Sequence, residues 1–353
     1  MTIYYPKSHY DKNYRSEVFP LLKPFIKGTS FTDAERMTMY RVSEKDFNIA
    51  NDILLAEVCI LPMSWNYYVK TQQIPLAQAC INQAKEAGKM VWSFISGDHG
   101  VKQPDYDQVI IFRLGGYRSK KGQNYMGMPV FVSDYLSKHN LFDTYLPPAY
   151  TENPLVGFCG QANPSKFQAG LDLINKCWFY FKSVVGLHVY EPEALVATSY
   201  LRAKLLQRLR DSEAITDQFI LRSQYRAGVT QGKGTHQTTL EFYNNMLASQ
   251  YVLCVRGGGN FSVRFYETLM MGRIPIYVHT DGFLPLSDVV DWKQHVVWIA
   301  PHEQDRIAEK VLSFHSQLTP EGLLALCRRN RELWANRLTL DGFFKSVCKS
   351  MTV

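Results

Sequence analysis

The residues best suited to chemistry stand close together late in the chain: Arg256, Asn260, Ser262, Arg264 and Glu267, threaded around Gly257, Gly258 and Gly259. Two guanidinium groups can hold an anion through delocalised charge and a fixed fork of N–H donors. Consecutive glycines let backbone approach such an anion closely or adopt angles that other residues avoid. Arg264 and Glu267 are three positions apart, so on a helix they share a face. The chemistry implied is a phosphate site with a carboxylate behind it. Other polar groups follow apolar runs elsewhere: Gly160 and Gln161, Arg222, and in the first half Asp98 and His99.

Placing those groups together requires a particular set of elements. Residues 251–255 form a β-favouring apolar run that stops at Arg256. Ser262 is placed to cap a helix ending near Gly272, and residues 274–278 form a second strand. Strand, turn, helix and strand make a βαβ unit whose first turn lies at the carboxyl edge of a sheet, where open α/β sheets bind ligands. The uncompensated N–H groups and positive dipole end of the helix point to the same place. Upstream, residues 53–61 read as a first buried strand, 75–87 as a helix closed by Gly88, 90–96 as a strand ending at Gly97-Asp98-His99-Gly100, and 109–114 as a third strand. Residues 1–50 lack a clear period and are expected as loops and short helices covering a sheet edge. The proline-rich segment 145–154 reads as a linker between a first domain, 1–150, and a second, 151–353, whose last helices are free to pack back on the first. In the second domain, strands at 155–159, 219–221 and 296–299 and helices at 199–209, 238–248, 302–318 and 321–337 complete an α/β pattern with mostly parallel sheets.

Composition narrows the class. A chain of 353 residues with 46% hydrophobic and 13% aromatic content is that of a folded protein with two cores, not a disordered one. The formal charge of +7 suits an anionic substrate or an acidic membrane surface, but no lysine or arginine block argues for nucleic acid. No apolar N-terminal core reads as a signal peptide and no stretch reads as a membrane span, so a cytoplasmic location is expected. Seven scattered cysteines without CxxC read as buried thiols. The aromatic run 177–181 reads chiefly as a buried helix or strand, with docking at a membrane interface as the alternative.

Known glycine motifs fit poorly. There is no GxxxxGK[ST], and in GxGxxG the third glycine is replaced by Ser262, although Asp281 stands where a ribose-binding acid would. The histidines have no metal-ligand spacing. Asp105-Tyr106-Asp107 is a DxD pair, but it precedes a strand of the first domain and reads as a surface turn.

The flanking residues are more specific. Strand 251–255, Arg256-Gly257, Ser262-x-Arg264, Glu267, Gly272 before Ile274-Pro275, Leu284-Pro285 and Asp291-Trp292 occur in the order and spacing of the exostosin-type glycosyltransferases, which the chain resembles. Weaker likeness extends to 154–160, 219–222 and 97–99. The resemblance implies a GT-B enzyme: two Rossmann-like domains facing across a central cleft, with donor nucleotide mostly on the second. It implies a nucleotide-sugar donor and a glycan or glycolipid acceptor, inverting transfer without metal or other cofactor, and membership in a bacterial-type branch that builds surface polysaccharide or glycolipid. Basic charge then implies loose peripheral contact with anionic lipid. Arg256, Arg264, Asn260, Ser262 and the backbone of residues 257–260 would hold the departing phosphates, with Arg222 either a third cation or part of a structural salt bridge. Glu267 would accept hydrogen bonds from ribose hydroxyls, and Gly160-Gln161 would touch donor or acceptor. Asp98 or His99 would be the base for the acceptor hydroxyl, with Asp134 a lesser choice. The alternatives kept open are an NAD(P)-dependent oxidoreductase using the Gly257–Gly259 turn and a non-catalytic carbohydrate- or nucleotide-binding protein.

Overall fold

The computed structural model describes residues 1–28, 30–141, 147–222 and 235–351. Its apolar runs assemble into two parallel sheets. The first contains β1 (Thr2–Tyr4), β2 (Asn48–Ile49), β3 (Val58–Ile60), β4 (Met90–Ile95), β5 (Val109–Arg113) and β6 (Tyr125–Gly127), in the order β2-β1-β3-β4-β5-β6. The second contains β7 (Leu155–Gln161), β8 (Thr216–Arg222), β9 (Tyr251–Cys254), β10 (Ile274–Val278) and β11 (Val297–Ile299), in the order β11-β10-β9-β7-β8. Helices α1 (Asp33–Tyr40), α2 (Trp65–Lys70), α3 (Ile74–Glu86) and α4 (Tyr135–Lys138) accompany the first sheet in sequence. Those following β7 are α5 (Lys166–Val184), α6 (Thr198–Arg210), α7 (Thr235–Leu247), α8 (Val263–Met270), α9 (Ile307–His315), α10 (Pro320–Leu333) and α11 (Leu340–Met351). Every residue of β9 and β10 is buried, because helices cover both faces of a parallel sheet. The expected α/β class and the βαβ unit therefore hold.

The two halves are joined at several points. Gly127 at the end of β6 forms a parallel bridge with Pro285 of the Leu-Pro turn. Trp292 of the Asp-Trp pair donates its indole N–H to the Pro285 carbonyl (2.9 Å), which fixes that turn from below. The last helix returns to the first sheet, where Phe344 packs on Phe19, Trp92 and Phe112 with ring centroids 5.5–5.6 Å apart.

Four expectations need correction. The run 53–61 is a strand only over β3: the Asp52 carboxylate accepts the Leu54 N–H (2.9 Å) and turns residues 53–55 into a 3-10 helix with Leu54 and Leu55 exposed. The first 50 residues do more than cover an edge, because β1 lies inside the sheet between β2 and β3, with Ile3 fully buried. The aromatic run 177–181 belongs to α5, and Cys177, Trp178, Tyr180 and Phe181 are exposed. Ser262 occupies the N-cap of α8, but its side chain makes no capping bond. The first two residues of the expected linker, Tyr145 and Leu146, lie outside the described residues.

Candidate functional site

The βαβ unit places Arg264 and Glu267 on one face of α8. Arg264 sits beneath the carboxyl end of β7, where Nη2 donates to the Cys159 carbonyl (2.7 Å) and the guanidinium lies 4.2 Å from the Phe158 ring centre and 5.6 Å from that of Phe242. Its Nε is buried without a hydrogen-bond partner, and among the described residues no carboxylate pairs with it. Burial pulls its pKa below the usual arginine value, opposed by Cys254 and Glu267. A partly buried guanidinium with an unsatisfied Nε and no ion-paired carboxylate among the described residues leaves this position suited to an added anion. Gly160 makes the approach feasible: a Cβ there would stand 2.5 Å from Arg264 Nη2.

Glu267 lies one helical turn on. Burial pushes its carboxyl up to about 7, against the lowering influence of Arg264 and a long hydrogen bond from the Tyr243 hydroxyl (3.4 Å). Arg222, at the end of β8, is already paired with Glu241 of α7 (3.0 Å) and donates to the Thr238 carbonyl (3.1 Å). Its charge nevertheless reaches Arg264, whose pKa it lowers.

Arg256 has a different place from the one expected. It is buried and ion-paired with Glu193 (2.9 Å), and it donates to the Tyr117 hydroxyl (2.7 Å), which in turn donates to Glu193 (2.8 Å) and accepts the Ala194 N–H (2.8 Å). The guanidinium thus ties the glycine turn to the loop before α6 and to the first half. Burial would raise the Glu193 carboxyl, but His99, Arg256 and Tyr117 outweigh it and hold the group below its ordinary range. Lys176 of α5 faces the same cluster, its pKa lowered by burial and by Arg256.

The glycines prove to be contact residues. A Cβ on Gly259 would meet the Asp98 carbonyl at 2.5 Å, and one on Gly258 would meet the Asp98 carboxylate at 3.0 Å. The carboxyl ends of β4 and β9 therefore face each other directly, and Asp98 reaches the turn, with His99 beside it in sequence. Asp98 is exposed beside it. His99 is half-buried against Phe179 (5.0 Å between ring centres), with Nδ1 unpartnered and 3.9 Å from Glu193 Oε1. Asn260 is fully engaged: its amide donates to the carbonyls of Gly116 (2.9 Å) and Thr280 (2.7 Å) and accepts from the Thr280 hydroxyl (2.7 Å). It is a strut across the two halves. Gln161 lines a cavity of about 170 Å³ with Asn163, Gln168, Asp172, Ser199 and Tyr200.

Two other candidate carboxylates already have partners. Asp281 accepts from the Ser119 hydroxyl (2.5 Å) and backbone N–H (3.1 Å), so its carboxylate is engaged by the first half. Asp134 is ion-paired with Arg331 (2.7 Å) and caps α4. Among the described residues, no three His, Cys, Asp or Glu side chains converge as a metal-ligand set. Sequence reasoning missed Glu193 and Tyr117, which have no periodic or motif signal. The only hint was an acidic pair around a proline, Glu191-Pro192-Glu193, after an aromatic run.

No family model matches the chain. Part of it is similar to exostosin-1c of Danio rerio, 33% identical over 101 residues, which are 29% of this chain and 12% of that protein. It is also similar to an exostosin-1 homologue of Caenorhabditis elegans (33% over 72 residues; 20% of this chain, 19% of that protein). A third relative, the probable glucuronosyltransferase GUT1 of Oryza sativa subsp. japonica, is 32% identical over 59 residues (17% of this chain, 14% of that protein). The chain spans less than a fifth of the length of each of these relatives. Among solved structures, TarM has a TM-score of 0.36 at 10% identity, covering 83% of this chain and 53% of that one. WaaG, a glycosyltransferase involved in lipopolysaccharide biosynthesis, has a TM-score of 0.31 at 8% identity, covering 89% and 81%. The described residues thus form an α/β protein with two parallel sheets whose carboxyl ends meet, and part of the chain is similar in sequence to exostosin proteins.

Proposed function

We propose that the protein transfers a sugar from a nucleotide-sugar donor to a hydroxyl of a glycan or glycolipid acceptor, with inversion and without a metal. The observation that carries this reading is Arg264: a half-buried guanidinium, its Nε buried without a hydrogen bond and with no ion-paired carboxylate among the described residues, beside the N-terminus of α8, which lacks a side-chain cap. As the acceptor oxygen bonds to the anomeric carbon, the bond from that carbon to phosphate breaks and the nucleoside diphosphate leaves with its electron pair. Arg264 and the α8 N–H groups would hold the charge that develops there. Glu267, one turn behind, would meet the ribose.

The acceptor proton needs a base, and His99 is the better placed of the two residues expected. Its Nδ1 is buried without a hydrogen bond and faces Glu193, which can steady an imidazolium. Arg256 serves this arrangement indirectly by fixing Glu193. The dinucleotide reading loses its ribose acid, since Asp281 is held by Ser119.

The test is a thermal-shift screen with UDP, GDP, CMP and NAD, followed by donor turnover with chelator present. A nucleoside diphosphate should raise the melting temperature, by about 3 kcal/mol of linked stability at a hundredfold excess over its Kd. A response to NAD alone would overturn the proposal, and loss of turnover in chelator would remove its metal-free clause. Binding without consumption of any sugar nucleotide would leave a binding protein.

A further inference from the structure

The longest of the described helices carries an exposed apolar stripe. On α5, Phe167, Leu171, Ile174, Trp178, Phe181 and Val185, the residue just past its end, recur at alternating spacings of four and three, which puts them along one line of the helix surface. All six are exposed, Phe167 to 77% and Ile174 to 65%. Val184 and Leu187 widen the patch at its C-terminal end. The opposite face is the one that packs inward: Ala169 and Ser183 are buried, and Phe179 lies against His99. The helix thus has an ordinary inward face and a second apolar face that no described residue covers, the kind of patch that marks an interaction surface.

We infer that α5 is a docking helix for an anionic lipid surface, lying in the plane of the headgroups. Charge selects this occupant. Lys166 and Lys182 flank the stripe, and Lys182 sits 5.0 Å from the Trp178 ring centre, its stem along the apolar face and its ammonium at the rim. The one acid of the helix, Asp172, faces the cavity beside Gln161 and Ser199 instead. A second copy of α5 would therefore bring lysines toward lysines with no flanking acids to pair them, which disfavours a helix pair. The chain as a whole carries +7. Trp178 and Phe181 stack at 5.6 Å as an aromatic ledge of the kind found at a water–lipid boundary. With four charged residues in its length, α5 lies on a bilayer, and no described helix is long and apolar enough to cross one. Since its inner face touches His99 and the cavity at the end of β7, docking would bring the cleft to the lipid surface.

The experiment is co-sedimentation of the full chain with vesicles of phosphatidylcholine alone or mixed equally with phosphatidylglycerol. Binding should appear with the anionic vesicles and weaken with salt. Trp178→Glu with Phe181→Glu should reduce partitioning at least about tenfold, and Lys182→Glu about fivefold. These side chains are exposed, so the melting temperature of each variant should match the wild type, and that measurement is made alongside. Cys177, exposed while the other cysteines are not, accepts an environment-sensitive dye whose emission should shift on docking. Failure to bind anionic vesicles overturns the inference. So does a dimer in analytical ultracentrifugation that Phe167→Glu dissociates, because the face would then belong to a second copy. Docking needs neither donor nor acceptor, so vesicle binding by a protein that consumes no sugar nucleotide would preserve this inference and sink the proposed reaction.

Discussion

Replacing Arg264 with methionine separates reserved charge from structural charge. The substitution keeps side-chain length and apolar contact with Phe158 and Phe242 but removes the guanidinium. Two interactions are lost. The 2.7 Å bond to the Cys159 carbonyl is worth about 1–3 kcal/mol once that carbonyl is left bare, and the contact with Phe158 about 1 kcal/mol. Against these stands the relief of a partly buried cation that has no ion-paired carboxylate among the described residues, discounted for the solvent that still reaches it and for Glu267 nearby. The two sides nearly cancel, so the stability of the variant should stay within about 1 kcal/mol of the wild type, a shift of no more than roughly 2 °C in a chain of this size. Binding should change far more. Two charge-assisted bonds to a diphosphate contribute about 1.5–3 kcal/mol each, so Arg264→Met should weaken the best nucleoside diphosphate at least about a hundredfold. Urea denaturation without ligand and isothermal titration with it read the two effects separately. A variant destabilised by more than about 1 kcal/mol, or one that binds the nucleotide like the wild type, would show that Arg264 is an ordinary structural cation.

Two further variants probe the neighbouring carboxylates. Burial holds Glu267 at about 7 in the folded chain, above its ordinary value of 4.5, so the unfolded chain releases this proton first as pH rises. The group therefore favours unfolding increasingly from about pH 4.5 to about pH 7, by up to about 3 kcal/mol, and Glu267→Gln should flatten that part of the denaturation profile. An unchanged slope in that window would mean the carboxyl is solvated. Glu193→Ala leaves Arg256 buried and unpaired, and should cost about 3–5 kcal/mol in urea denaturation; a loss below about 1 kcal/mol would mean that the Arg256 ion pair is dispensable.

How far the sequence could be read depended on how local each signal was. The βαβ unit at residues 251–278 was legible because parallel strands buried on both faces leave continuous apolar runs and because Gly272 ends the helix with a positive φ of 62°. β1 and β2 were not, since strands of three and two residues carry no measurable period. Arg256 and Arg264 looked equivalent in sequence. Only the fold distinguishes them, because the carboxylate that neutralises Arg256 lies 63 positions away in an irregular loop. The three glycines suggested room for a ligand, whereas two of them make room for Asp98. The run 177–181 reads from the sequence chiefly as a buried helix or strand, with interfacial docking as the alternative, because an apolar run cannot say which of two helix faces meets the protein.

The return of α11 to the first sheet has a consequence for how the molecule comes apart. Phe19, Trp92 and Phe112 stand early in the sequence, yet the rings that close over them, Phe343 and Phe344, come from beyond the second sheet. A cut between β11 and α11 would therefore open the aromatic floor of the first sheet while sparing the strands of the second. Cys348 adds to this closure by reaching the side chain of Met1. Proteolysis in the segment after β11 would thus be felt in the sheet farthest from it along the chain.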